Sequence, residues 1–251
     1  MKQTFSNSLI ESAFEKLSKS EFQASKPKTH ERNPVHVVYG GANLFKAETP
    51  QKLGTLALRS VAAYAANFAE FARAMWIAGA DTLPVYEDAV RELEFQLFEN
   101  EEKVKAENFA AWLAWTIYNR TVEKLKNEPV EDFRIDFEDG YGFRPDAEED
   151  AHAVSASGEL AKSFLEKSVT PFCGFRIKSF APETYRRAVR TLDLFLTNLV
   201  DKTGGSLPAN FVVTLPKITR PQEVETLARL LEEFENKSNL ASRAIEIEIM
   251  V

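Results

Sequence analysis

Hydrophobic and polar positions alternate most regularly over residues 133–138. Phe133, Ile135 and Phe137 share one parity; Arg134, Asp136 and Glu138 share the other. Successive strand side chains point to opposite faces, so this segment predicts a strand with an oily face and a charged face. The alternation returns over residues 171–180, where Phe175 and Ile177 oppose Gly174, Arg176 and Lys178. It returns again over 243–251, where Ile245, Ile247, Ile249 and Val251 oppose Glu246, Glu248 and Met250. Two further β-rich runs, at 34–39 and 210–217, bring the predicted strands to five.

Between the later runs the pattern turns helical, over 147–167, 182–199 and 221–236. Strand and helix therefore alternate through the second half, which predicts βαβ units and a parallel sheet. Thr49-Pro50 opens a helix with a cap residue and a proline in the first turn, and apolar spacing carries it, with a break, to Trp76. Residues 85–126 predict two helices joined by ENEEKVKAEN as a solvated connection. Helical spacing of Leu9, Ile10, Ala13, Phe14 and Leu17 predicts a helix over 6–19, followed by a loop over 20–33. This first piece reads as an arm, packed on the domain or on a neighbour.

The charges decide which kind of parallel sheet is expected. In an open doubly wound sheet both faces meet helices, and strands read as continuous apolar runs. Charges on the second face of three strands fit the inside of a barrel near its functional end. There Arg134, Arg176 and Lys178 can offset Asp136, Glu138, Glu246 and Glu248, because an unpaired buried charge is very costly. Acids at a strand's C-terminal end, then a glycine loop (Asp139-Gly140-Tyr141-Gly142), then a helix, make the pattern of an α/β-barrel active site. The plainer alternative is a half-exposed strand with a solvated charged face.

Composition narrows the partners. The chain has 251 residues, a length that suits one barrel domain, and 44% hydrophobic residues, enough for a sizeable core. A formal charge of −7 argues against nucleic acid or an anionic membrane, while leaving room for a local basic site that takes an acidic small molecule. The single cysteine, Cys173, excludes an intrachain disulfide, and its strand-like apolar setting points to a buried structural thiol. No Cys/His spacing suits zinc, and no apolar run approaches a membrane span, so a cytoplasmic protein is expected. Gly40-Gly41 reads as a loop closing the first strand; it matches neither a dinucleotide fingerprint nor a P-loop. His36, near that strand's start, reads as structural.

Four motifs carry a family resemblance. IDFEDGYG at 135–142, GFRIK at 174–178, TLPKI at 214–218 and EIEIMV at 246–251 occur in the order and rough spacing of the aldolase/citrate lyase (HpcH/HpaI-type) family of phosphoenolpyruvate/pyruvate-domain barrels. VHVVYGGANLF at 35–45 resembles that family's first strand and loop, and EPVEDFRIDFEDGYGFRPDAEEDAHA at 128–153 resembles one subgroup. The resemblance implies an α/β fold of the (β/α)8 TIM-barrel type, truncated after about the fifth strand. It spans 34–251, with an N-terminal helical arm at 1–33 and a helical insertion at 78–126. It implies a metal-dependent carbon–carbon lyase or aldolase acting on an oxo acid or acyl-CoA through an enolate, with Mg2+ as Lewis acid.

By position, Arg176 corresponds to the family's substrate-carboxylate arginine, a role that suits a guanidinium's paired hydrogen bonds. Asp136, Glu138 and Asp139 correspond to the acidic cluster near the metal, acting mostly through water. Lys217 corresponds to the lysine of the proline-lysine motif. The family's metal ligands, a glutamate and an aspartate, would follow Val251, so no metal ligand is expected within this chain and little activity is expected of it alone. A sheet cut from a barrel exposes an edge and apolar surface, so dependence on a partner, on self-association or on rearrangement is expected, with a homo-oligomer as the expected assembly. The alternative is a non-catalytic binding or regulatory module on a degenerate barrel, its charged residues only balancing one another.

Overall fold

The computed structural model describes residues 4–15 and 32–251. The expected N-terminal helix beyond Glu15 and most of the expected 20–33 loop lie outside the described residues. In chain order the elements are α1 (Asn7–Glu15), β1 (Val37–Gly41), α2 (Thr49–Tyr64), α3 (Phe68–Ala74), α4 (Glu87–Glu99), α5 (Glu101–Glu107) and α6 (Phe109–Asn127). Then come β2 (Asp132–Asp136), α7 (Asp146–Leu165), β3 (Phe172–Arg176), α8 (Tyr185–Thr203), β4 (Phe211–Leu215), α9 (Pro221–Lys237) and β5 (Glu246–Ile249). They divide into two compact units, Met1–Thr49 with Glu131–Val251, and Pro50–Val130.

The first unit is a mixed α/β structure around one five-stranded sheet. Its strands run in the order β1-β2-β3-β4-β5, and every neighbouring pair is parallel. Register aligns the side chains into rows. Gly41, Asp136, Arg176, Thr214 and Glu248 form one row; Tyr39, Arg134, Gly174, Val212 and Glu246 form the row below it. Residues in register project from the same face, so these two rows make the polar face. The intervening row, Gly40, Ile135, Phe175, Val213 and Ile247, belongs to the apolar face. Behind that face Phe195 of α8 stacks on Phe175 with ring centroids 4.0 Å apart.

The sheet is strongly curled with its polar face inward. The Tyr39 hydroxyl on β1 donates to Glu248 Oε2 on β5 at 3.2 Å, although these are the two outer strands. At the usual strand spacing a flat sheet would hold them about 19 Å apart, farther than one tyrosine and one glutamate can bridge. The curl explains how charged strands become buried. All five residues of β2 and of β3 are buried, Asp132, Arg134, Asp136 and Arg176 among them.

Gly40 and Gly41 belong to β1 itself and not to the loop expected there. Close approach is the reason. A Cβ on Gly40 would meet the Phe133 ring at 2.7 Å, and one on Gly41 would meet the Gly140 carbonyl oxygen at 2.6 Å. The two glycines thus let β2 and the loop after it close onto β1. Cys173 is buried on β3, and burial pushes its thiol up to about 12, as suits the structural role expected for it.

The second unit is helical, α2 to α6 with a short 3-10 turn at Ala80–Thr82, and the expected insertion at 78–126 lies within it. Its core includes Phe68, Ala72, Leu83, Leu97, Val104 and Ala111. The expected break after α2 falls where Asn67 caps α3, accepting from the Ala69 and Glu70 amides. ENEEKVKAEN is not a solvated connection. It contains α5, whose Val104 is buried, and Asn100 and Asn108 cap α5 and α6 by accepting from the Lys103 and Ala111 amides. One large apolar residue in two turns, Val104, left the helix hidden among charges. Among the described residues no helix is long and apolar enough to cross a membrane.

Candidate functional site

The C-terminal ends of the strands bring Asp136, Glu138, Asp139, Arg176 and Lys217 together. Asp136 ends β2 and is fully buried. Its Oδ1 accepts from Arg176 Nε (2.8 Å) and the Glu138 amide (2.9 Å). Its Oδ2 accepts from Arg176 Nη2 (2.6 Å) and the Gly140 amide (2.7 Å). Four donors occupy a carboxylate that has about four acceptor positions. Asp136 is therefore an anchor, with no lone pair to spare for a metal or a proton. It fixes Arg176 by a two-point grip and ties the Asp139-Gly140 turn to the strand end.

Arg176 ends β3 and keeps Nη1 on the side away from Asp136. That nitrogen lies 3.4 Å from Met250 Sδ and 3.8 Å from Asp139 Oδ2, whose side chain is largely exposed. The guanidinium also lies over the Tyr39 ring, 4.7 Å from its centroid. The hydrogen bonds to Asp136, more than offsetting burial, raise the Arg176 pKa above its ordinary value. The pairing leaves a preoriented cation whose outer edge can still meet a ligand carboxylate.

Glu138 and Asp139 converge on Lys217. Lys217 Nζ donates to Glu138 Oε1 at 2.7 Å and to Asp139 Oδ1 at 2.8 Å. Hydrogen bonding to Lys217 holds the Asp139 carboxyl below its usual range, and the same contacts raise Lys217. Lys217 follows Pro216 in a left-handed conformation, φ 55°, which costs a residue with a side chain about 1–3 kcal/mol. Lys178, two residues beyond the end of β3, is occupied elsewhere. Its Nζ donates to the carbonyls of Phe137 (2.6 Å) and Gly142 (3.1 Å) and pairs with buried Glu149 at 3.1 Å.

Beside and below these residues lies a second polar cluster, of which the sequence offered only Arg134 and Glu248, as compensating charges. Arg134 pairs with Asp132, and its Nε donates to Glu248 Oε2 at 3.3 Å. Glu248 Oε2 also accepts from the Tyr39 and Thr214 hydroxyls. Tyr39, Thr214 and Met250 were not singled out from sequence. A signal existed for Tyr39, the one residue with a polar tip on the parity of Val37 and Gly41. Its reach to β5 depends on the curl, which no single strand encodes. His36 is half-buried immediately before β1.

Asp132 gives this cluster a testable pH signature. Burial, only partly offset by Arg134, raises its carboxyl to about 6. An acid raised by folding stabilises the fold fully only below its unfolded pKa, and that stability is lost as pH rises through the folded value. Asp132→Asn is therefore expected to gain on the wild type between about pH 4 and 6, read as urea midpoints across pH 4–8. A difference between the two that stays constant with pH would rule this out.

The family model described as "Domain of unknown function (DUF6986)" matches residues 16–251. The chain belongs to the DUF6986 family. No curated protein and no solved structure matches it. The DUF6986 match takes in β1 to β5, the whole of Pro50–Val130 and each of Asp136, Glu138, Asp139, Arg176 and Lys217.

Proposed function

We propose that the first unit is part of a (β/α)8-type barrel and that its mouth serves a carbon–carbon lyase or aldolase, working on an oxo acid or acyl-CoA through an enolate. Strand order supports the barrel part. A doubly wound sheet reverses its order at a switch point, whereas this sheet runs sequentially and curls until its outer strands share a hydrogen bond. The observation that carries the functional part is the held Arg176. Asp136 grips Nε and Nη2, and the remaining edge lies toward the strand ends, where barrel enzymes bind substrate. Arg176 would take the substrate carboxylate, and the cations Arg176 and Lys217 would balance charge that develops as an enolate forms.

Magnesium belongs to this proposal through the family resemblance. Among the described residues no three His, Cys, Asp or Glu side chains form a metal-binding group. The carboxylates at the mouth are also engaged: Asp136 is saturated, and Glu138 and Asp139 are bound to Lys217. These residues do not make a magnesium site by themselves.

The test is an aldol-cleavage screen of the full gene product with magnesium, wild type against Arg176→Lys. Lysine keeps a cation beside Asp136 but loses the planar fork. A loss of at least about tenfold in kcat/KM is expected, and equal rates would remove Arg176 from its role. The tie between Lys217 and both acids favours a second reading, a binding module without turnover. That module would bind an oxo acid, Arg176-dependently, in calorimetry while the screen stayed silent.

A further inference from the structure

Glu248 has a more specific geometry than a counter-charge needs. All three of its hydrogen bonds fall on Oε2: from the Tyr39 hydroxyl (3.2 Å), from Arg134 Nε (3.3 Å) and from the Thr214 hydroxyl. Among the described residues Oε1 accepts none. The side chain is 32% exposed, so the open oxygen is not sealed in the core. Glu248 also shares a register row with Asp136 and Arg176 on the inner face of the curl. Tyr39 connects the two sites, with its ring beneath the Arg176 guanidinium and its hydroxyl on Glu248.

A carboxylate pinned through one oxygen, with the other open, has a fixed direction in which it can accept a proton. Asp136 shows the contrast, since its donors leave no such direction. Burial pushes the Glu248 carboxyl up, but the Thr214, Arg134 and Tyr39 contacts outweigh it and leave the group below the ordinary glutamate range. It is charged at neutral pH, as a proton acceptor must be.

We propose that Glu248 is the general base that takes the hydroxyl proton of a substrate whose carboxylate is bound at Arg176. This inference rests on the lyase reading above. Aldol cleavage requires a hydroxyl β to a carbonyl. The hydroxyl proton passes to Oε1, the C–O bond becomes C=O, and the bond between the α- and β-carbons breaks. Its electron pair becomes the enolate of the oxo acid, and the new aldehyde or ketone leaves. The proton on Glu248 then returns, through water, to the enolate carbon, which completes the balance.

The experiment uses two probes with the full gene product: 4-hydroxy-2-oxopentanoate, which must lose a hydroxyl proton to cleave, and oxaloacetate, which loses CO2 to the same pyruvate enolate with no hydroxyl involved. In Glu248→Gln the amide oxygen can keep the three donors while the NH2 group takes the open position, where it cannot accept a proton. The variant is expected to cleave the hydroxy acid at least about 100-fold more slowly, with a loss at least about tenfold smaller in the decarboxylation of oxaloacetate. Cleavage at the wild-type rate, or an equal loss in both reactions, would overturn the role for Glu248 alone. A wild type inactive on both probes would overturn the lyase reading and this one with it, and Arg176→Lys separates the two by slowing both reactions together.

Discussion

Asp136→Ala is expected to lower the free energy of unfolding by about 3–5 kcal/mol, the usual cost of removing one partner from a buried charge pair. The magnitude follows from what the alanine leaves behind. Arg176 would keep its charge at 7% exposure and lose both of its short carboxylate contacts. The amides of Glu138 and Gly140 would lose their acceptor as well. A donor that water cannot reach costs on the order of 1–3 kcal/mol when it loses its acceptor, so the guanidinium carries most of the penalty and the half-exposed loop amides less. Equilibrium urea unfolding measures the effect, with Asp139→Ala as the comparison. Asp139 makes a similar ion pair from an exposed position, and such pairs contribute about 0–1 kcal/mol. The double variant Asp136→Ala/Arg176→Met should recover part of the loss, because it removes the stranded charge. Equal, small effects at Asp136 and Asp139 would mean that the buried pair is solvated and the anchor description is wrong.

The same residues show what a linear reading could reach. Alternation over 133–138, 171–180 and 243–251 predicted the strands, and the change to helical spacing predicted α7, α8 and α9 between them, because each pattern is written within one element. Two-faced strands also foretold buried charge, and the placing of Arg176 against Asp136 follows from parallel register. What could not be read was set by contacts between elements. Gly40 and Gly41 resembled a loop because their partners, the Phe133 ring and the Gly140 carbonyl, lie about a hundred residues away in the chain. The α5 helix was obscured because its capping residues sat at the ends of a charged run and its one buried side chain was Val104. Within the site, charge pairing alone made Asp136, Glu138 and Asp139 look equivalent. Hydrogen bonding separates them, saturating the first and joining the other two to Lys217. The role of Glu248 likewise depends on a contact between the outermost strands, which exists only because the sheet curls.

The polar face can hold its geometry only if its apolar reverse side is well packed, and Phe195 is the residue on which that packing turns. It is fully buried on α8, stacked on Phe175 at 4.0 Å and 16°, and edge-on to Phe137 at 6.1 Å and 86°. Phe137 follows Asp136 directly, and its amide donates to the Arg176 carbonyl at 2.9 Å, so these rings back the same strand ends that carry the site. Phe195→Ala is expected to cost about 3–5 kcal/mol, the sum of lost transfer energy and an incompletely filled cavity. Phe195→Leu, which keeps most of the volume, should cost clearly less, and the difference includes the roughly 0.5–1.5 kcal/mol that ring–ring geometry contributes. Phe143, 88% exposed in the loop after β2, should change stability by under about 0.5 kcal/mol when replaced by alanine. Urea unfolding of the three variants gives the ordering. If Phe195→Ala lost no more than Phe143→Ala, the α8 stack would not be holding β2 and β3, and the alignment of Asp136 with Arg176 would need another source. If the ordering holds, Phe195→Ala should also weaken the oxo-acid binding proposed for Arg176 without touching a ligand, since the strands that aim the guanidinium would no longer be fixed from behind.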